Sequence, residues 1–204
     1  MFGLSKSELA ILRPLSTPAK IQNFLNALPI NFETDGFTYL SPRRVLREGK
    51  AHCLEGALLA TLCLWLRGEE PLLLDLKTTS ADQDHVVALY QRHGFWGAIS
   101  KTNHVSLRFR DPIYRTIREL AASFFHEYFL NETGIKTLRS YSSPFKLKKF
   151  GEVWVTTEEN LDELATTLDH SRHYALIPKT NRKFIRPADA LERRAGELTE
   201  WPAI

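Results

Sequence analysis

A thiol attacks a carbonyl only as the thiolate, and that anion is favoured where helix amides, a helix dipole or an imidazolium face it. Cys53 is set among such neighbours. It follows Gly49-Lys50-Ala51-His52 and opens a run, 54–67, that is apolar on nearly every side until Gly68 ends it. A helix apolar all round is a buried central helix. Cys53 therefore falls in its first turn, on a rigid mount beside amides that lack intrahelical acceptors. The plainer alternative is a buried structural cysteine, and Cys63, further along among leucines, reads that way. At about 100° per residue the two thiols lie on different faces of one helix, too far apart to bridge.

A cysteine nucleophile needs a base. His85 opens a run of strand formers, Gln83-Asp84-His85-Val86-Val87-Ala88-Leu89-Tyr90. An imidazole at the mouth of a strand beside the helix start can pair with the thiolate; an exposed strand-end histidine is the competing reading. His52 is expected on the other side of the helix start, with a second imidazole near the thiolate as the alternative. The Cys53 amide is the natural first donor to an oxyanion.

Other chemistries find less support. His52, Cys53, His85, His93 and His104 fit neither a Cys-x-x-Cys nor a His-Glu-x-x-His spacing, so no metal is expected. No glycine-rich phosphate loop and no flavin or nicotinamide motif is present, and no cofactor is expected. Lys146, Lys148 and Lys149 beside Phe145 and Phe150, with Arg182-Lys183-Phe184, interleave charge and aromatic rings as a nucleic-acid surface does. Interspersed acids favour a solvated edge instead, so nucleic acid is not an expected partner.

The elements that must hold these residues can be read from periodicity and caps. Thr17-Pro18 and Ser41-Pro42 mark two helix starts, a cap followed by proline at the first helical position. The first helix spans 18–28. After the cysteine helix come runs of strand character: Leu72-Leu73-Leu74, then 85–90, then 95–99 beyond a His93-Gly94 turn, then 105–109. Their close spacing implies antiparallel hairpins. Asp111-Pro112 predicts a third capped start and a long amphipathic helix through Tyr128. A strand at 152–155, a helix opened by Thr156 or Thr157 and a short helix at 187–195 complete the tail.

Cysteine at a helix start, a small and apolar helix (Gly56-Ala57-Leu58-Leu59-Ala60), the strand Pro71-Leu72-Leu73-Leu74, the His85 strand and the Trp96 strand occur in that order. This stretch, 41–101, resembles the transglutaminase-like superfamily, a branch of the papain-like cysteine hydrolases. The resemblance implies Cys53 as nucleophile and His85 as base, with an Asp on the next strand orienting the ring. Counted from Trp96, that third place falls on Ser100, a hydroxyl without charge. Asn103 is a second candidate, since an amide serves this role in papain-like proteases. Asp84 and Asp111 are further ones, although Asp84 should point away from the face that carries His85.

Composition bounds all of this. The chain has 204 residues, 43% of them apolar and 25% charged, and 27 basic against 24 acidic side chains leave a net charge of +3. That is ordinary for a globular protein and unlike a disordered one. Two cysteines make no disulfide framework. The opening residues do not read as a signal peptide, and no apolar run approaches the roughly 20 residues a bilayer needs. The expectation is a cytoplasmic, single-domain α+β protein over 1–204. Its core of about 41–111 packs a buried, Cys-bearing helix on a small antiparallel sheet, with a helical flank at 112–130 and an extension at 131–204 lying over the core. The expected function is acyl transfer or hydrolysis at a peptide, protein or small amide through a thioester on Cys53. The alternative is a catalytically degenerate binding or scaffold protein, favoured by the serine at position 100.

Overall fold

The computed structural model describes residues 1–34 and 36–201. Helices α1 (Lys6–Leu12), α2 (Pro18–Ala27), α3 (Pro42–Glu48) and α4 (Cys53–Trp65) precede strands β1 (Leu72–Lys77), β2 (His85–Arg92), β3 (Phe95–Ser100) and β4 (Arg110–Tyr114). Then follow α5 (Ile117–Ser123), β5 (Ser140–Ser142), β6 (Phe145–Lys146), α6 (Val153–Thr156), α7 (Asp162–Asp169), β7 (His173–Ala175) and α8 (Ala190–Gly196). The fold is α+β. Its sheet has the order β4-β3-β2-β1-β5-β7, with β6 also on β1, and every pairing is antiparallel.

Side chains alternate across a strand, so the three central strands feed two cores. Leu73, Val86, Ala88 and Ile99 share a buried cluster with the leucines of α4. Leu74, Val87, Leu89 and Ala98 face the other way, against Leu120, Phe124 and Tyr128. Burial on both faces explains why Leu72-Leu73-Leu74 is a continuous apolar run. Every residue of α4 from Leu54 to Leu64 is buried. Gly56 is required within it: a Cβ there would lie 2.4 Å from Cβ of Lys101. No helix among the described residues is long and apolar enough to cross a membrane.

Several expected elements differ. Residues 105–109 form no strand, and Asp111-Pro112 lies inside β4 rather than at a helix start. Proline lacks an N–H and is tolerated there because β4 is an edge strand. The helix begins five residues later than expected, at Ile117, where Thr116 and Glu119 form the reciprocal capping box. Residues 153–156 are a helical turn, not a strand, and α7 starts at Asp162 with no side-chain cap. The extension after 131 does more than overlie the core, since β5, β6 and β7 are strands of the same sheet.

Candidate functional site

Gly49 closes α3 in the left-handed conformation, with φ of 67°, and the chain turns through Lys50 and Ala51 into α4. Position 49 needs glycine because a Cβ disfavours that φ. His52 is the N-cap of α4, and its Nδ1 lies 3.2 Å from the Leu54 amide it accepts from. Cys53 follows as the first helical residue, half-buried and unbridged. Burial alone would raise its thiol. The hydrogen bonds and positive charge of His52 and His85 outweigh burial and hold it well below the usual thiol value. Cys63 has no such partners, and burial pushes it up to about 12.

His85 is the first residue of β2, paired with Leu76 of β1, and is buried. Its Nε2 lies 2.8 Å from Oγ of Ser100 at the end of β3. Ser100 Oγ donates its own hydrogen to the Leu107 carbonyl at 2.6 Å. A hydroxyl has one hydrogen, so Ser100 accepts from His85 and the Nε2 of that ring carries the proton. Nδ1 is the nitrogen left for the thiol. Two groups that sequence reasoning missed fix this relay. Gln22 of α2 gives Nε2–H to the Ser100 carbonyl at 2.7 Å and takes the Ser100 amide at 2.9 Å, acting as a short surrogate strand. Leu107 sits at φ 59°, a strained backbone for a leucine, with its amide held by Glu127 at 2.8 Å. Neither has a sequence signature.

The other candidates for the third place lie elsewhere. Asn103 Oδ1 accepts the Trp201 amide at 2.8 Å and its carbonyl accepts the Glu200 amide at 3.0 Å, so it ties down the C-terminal segment and does not hold His85. Asp84 accepts from the Thr78 amide and hydroxyl, at 2.8 and 3.0 Å. Asp111 is exposed on the edge strand β4. His52 corrects the expectation made for it: its ring stands on the cysteine's side of the helix start and shares the cleft with Cys53.

Cys53 and His52 line two clefts that meet over them. The larger holds about 820 Å³ and runs past Tyr39, Asp75 and α7; the smaller, about 330 Å³, runs past Asn31, His85 and Tyr128. The hydroxyl of Tyr128 donates to the Gln83 carbonyl, anchoring the loop that leads into β2. Acids dominate the larger cleft: Glu33, Asp75, Asp82, Asp84 and Asp169, against Lys77. Asp75, Asp84 and Asp169 bring oxygens within 4.8 Å of one another, the grouping among the described residues that could hold a cation. Each is already occupied, Asp75 by His173 at 3.0 Å, Asp84 by Thr78 and Asp169 by Lys77 at 2.7 Å. Of the basic-aromatic residues, Phe184 is exposed, while several at 145–150 are engaged within the fold. Phe145 is buried, Lys149 lies over both Phe145 and Phe150, at 4.0 and 5.0 Å, and Lys146 faces Glu70.

No protein-family model matches this chain, and no curated protein shows significant similarity to it.

Proposed function

We propose that the protein is a transglutaminase-like cysteine hydrolase or acyltransferase acting on amides, with a papain-like arrangement of Cys53, His85 and Ser100. The observation that carries this is the directed relay Leu107 carbonyl, Ser100 hydroxyl, His85 Nε2–H, which leaves Nδ1 as a proton acceptor beside a thiol held low. His85 takes the Cys53 proton and the thiolate adds to the amide carbonyl. The Cys53 amide, first in its helix, donates to the oxyanion. The C–N bond then breaks as His85 returns the proton to the leaving amine. Water or a second amine resolves the thioester. Two clefts meeting at the cysteine suit a substrate that continues on both sides of the reacting amide. The acids along the larger one favour a chain carrying positive charge.

The second reading, an inert scaffold, is favoured by one feature: the group behind His85 is a neutral hydroxyl rather than a carboxylate. Acyl trapping separates the two. The whole chain is mixed with p-nitrophenyl acetate and a panel of peptide amides, and the Cys53 peptide is weighed for a thioester. A thioester in wild type, absent in Cys53→Ala and slowed in His85→Ala, supports the enzyme. An alkylatable Cys53 that accepts no acyl group from any of them leaves the scaffold.

A further inference from the structure

Glu55 is completely buried in the first turn of α4. Four protein groups donate to its carboxylate: the amides of Leu40 and His52, both at 2.9 Å, the Thr38 hydroxyl at 3.1 Å and the Asn31 amide nitrogen at 3.1 Å. All four are neutral. A buried carboxylate is costly without a counter-charge as well as hydrogen bonds. Among the described residues its ion-pair partner is His52, whose Nε2 lies 3.3 Å from Glu55 Oε1 and 2.9 Å from the Thr38 carbonyl. Both acceptors favour a proton on Nε2. On the opposite edge of the ring, Nδ1 faces the start of α4, where it takes the Leu54 amide when neutral.

We propose that His52 is a second imidazole of this site, held protonated by Glu55 and the Thr38 carbonyl, and that its positive charge stabilises the Cys53 thiolate. The inference rests on the reading of Cys53 as a nucleophile. In the protonated ring Nδ1 gives its hydrogen to Sγ instead of accepting from Leu54, so the cap bond is exchanged for a charge-assisted one. The proton on His52 comes from solvent and is not consumed. The thiol proton goes to His85, breaking S–H and forming N–H, and leaves with the amine, so His52 carries the same number of hydrogens throughout the cycle.

The groups around His52 agree. Cys53 and Glu55 face it from α4, Glu33 Oε1 lies 3.9 Å away, and the Tyr39 ring stands T-shaped to it with centroids 6.0 Å apart. Burial opposes the charge, but Cys53, Glu55 and the Thr38 carbonyl push the imidazole up to about 9. His52 is thus a positioning and charge-supplying residue, while His85 moves the proton.

The test is alkylation of Cys53 by iodoacetamide against pH in the whole chain, with ¹³C-histidine spectra of the same samples. His52→Asn keeps a side-chain oxygen at the N-cap, so the helix start survives while the charge is lost. The expected result is a labelling profile displaced upward by about one pH unit, with about tenfold less thiolate at pH values below the wild-type midpoint. In wild type the His52 ring should titrate above the ordinary imidazole value near ~6.5, and in Cys53→Ser that elevation should shrink. A wild-type profile in a folded His52→Asn chain overturns the inference. So does a His52 resonance that titrates normally and ignores Cys53→Ser, a result that needs no variant of His52. If His85→Ala alone abolishes the rapid labelling, the proposed function stands without this assignment. An ordinary thiol profile in wild type sinks both.

Discussion

Ser100 has one hydroxyl hydrogen and spends it on the carbonyl of Leu107, so the proton of the His85–Ser100 bond must sit on the ring. That single count of hydrogens sets which nitrogen faces the thiol. Ser100→Ala removes the acceptor of a buried ring N–H and the donor to a buried carbonyl. The expected cost is ~1–3 kcal/mol in denaturant unfolding. Acyl-adduct formation should slow by roughly 10–100-fold, as when a group orienting a functional histidine is lost. Ser100→Asp should not restore the rate, because its carboxylate would face the Leu107 carbonyl with no hydrogen between them. A faster Ser100→Asp chain in the acyl-trapping assay would mean that the relay is not oriented this way.

The two thiols make a second prediction at the same scale. Cys53 is held well below the usual thiol value and Cys63 is pushed up to about 12. Alkylation of Cys53 should therefore stay fast from alkaline pH down through neutrality, falling only as pH drops through its lowered value. Cys63 should remain unlabelled in the folded chain. Linkage has the same sign: a group whose acid form is disfavoured by folding adds stability above its unfolded value near ~8.5, and that stability is lost as pH falls through the folded value. Peptide mass spectrometry resolves the two sites. Equal labelling of both would refute the contrast.

Among the elements, α4 is where local preference and packing disagree. Glycine inside a helix costs about 0.5–1 kcal/mol relative to alanine. Gly56 is kept because Lys101 crosses it, with burial lowering the ammonium to about 8 and its Nζ giving a hydrogen bond to the Leu25 carbonyl at 2.9 Å. Gly56→Ala should thus destabilise by ~1–3 kcal/mol through overpacking, despite its better helix propensity. Denaturant unfolding measures this directly, and a stabilised variant would show that the crossing is slack. The cysteine helix itself was legible because an all-apolar run bounded by glycines admits one reading. So were the three central strands. Position 111–114 was not, since Asp-Pro opens a helix and an edge strand tolerates it equally well. His85 and Ser100 could be singled out by order along the chain. Gln22, Glu55 and Leu107 could not, because their roles depend on contacts between elements far apart in sequence and on a backbone angle that no local pattern encodes.

Over the whole molecule the charge is unevenly shared. The chain is +3, yet the cleft beside Cys53 carries Glu33, Asp75, Asp82, Asp84 and Asp169 against Lys77. An acidic cleft in a basic protein focuses its field on what enters. Methanethiosulfonates test this at the reacting sulfur, since the thiolate displaces methanesulfinate and forms a disulfide whatever charge the reagent's tail bears. The trimethylammonium reagent should modify Cys53 about tenfold faster than the sulfonate reagent, after each rate is divided by that for a free thiol, a difference of ~1.4 kcal/mol. At 1 M salt, where screening acts over ~3 Å, the preference should largely vanish. Because His52 beside the sulfur would attract the sulfonate, any surviving cationic preference reports the cleft and not the nearest charge. Asp84→Asn and Asp169→Asn should each reduce it without altering the pH profile of Cys53. A preference for the sulfonate reagent at low salt would place the cationic groups of the site in command of entry, and with that the case for positively charged amide substrates would fail.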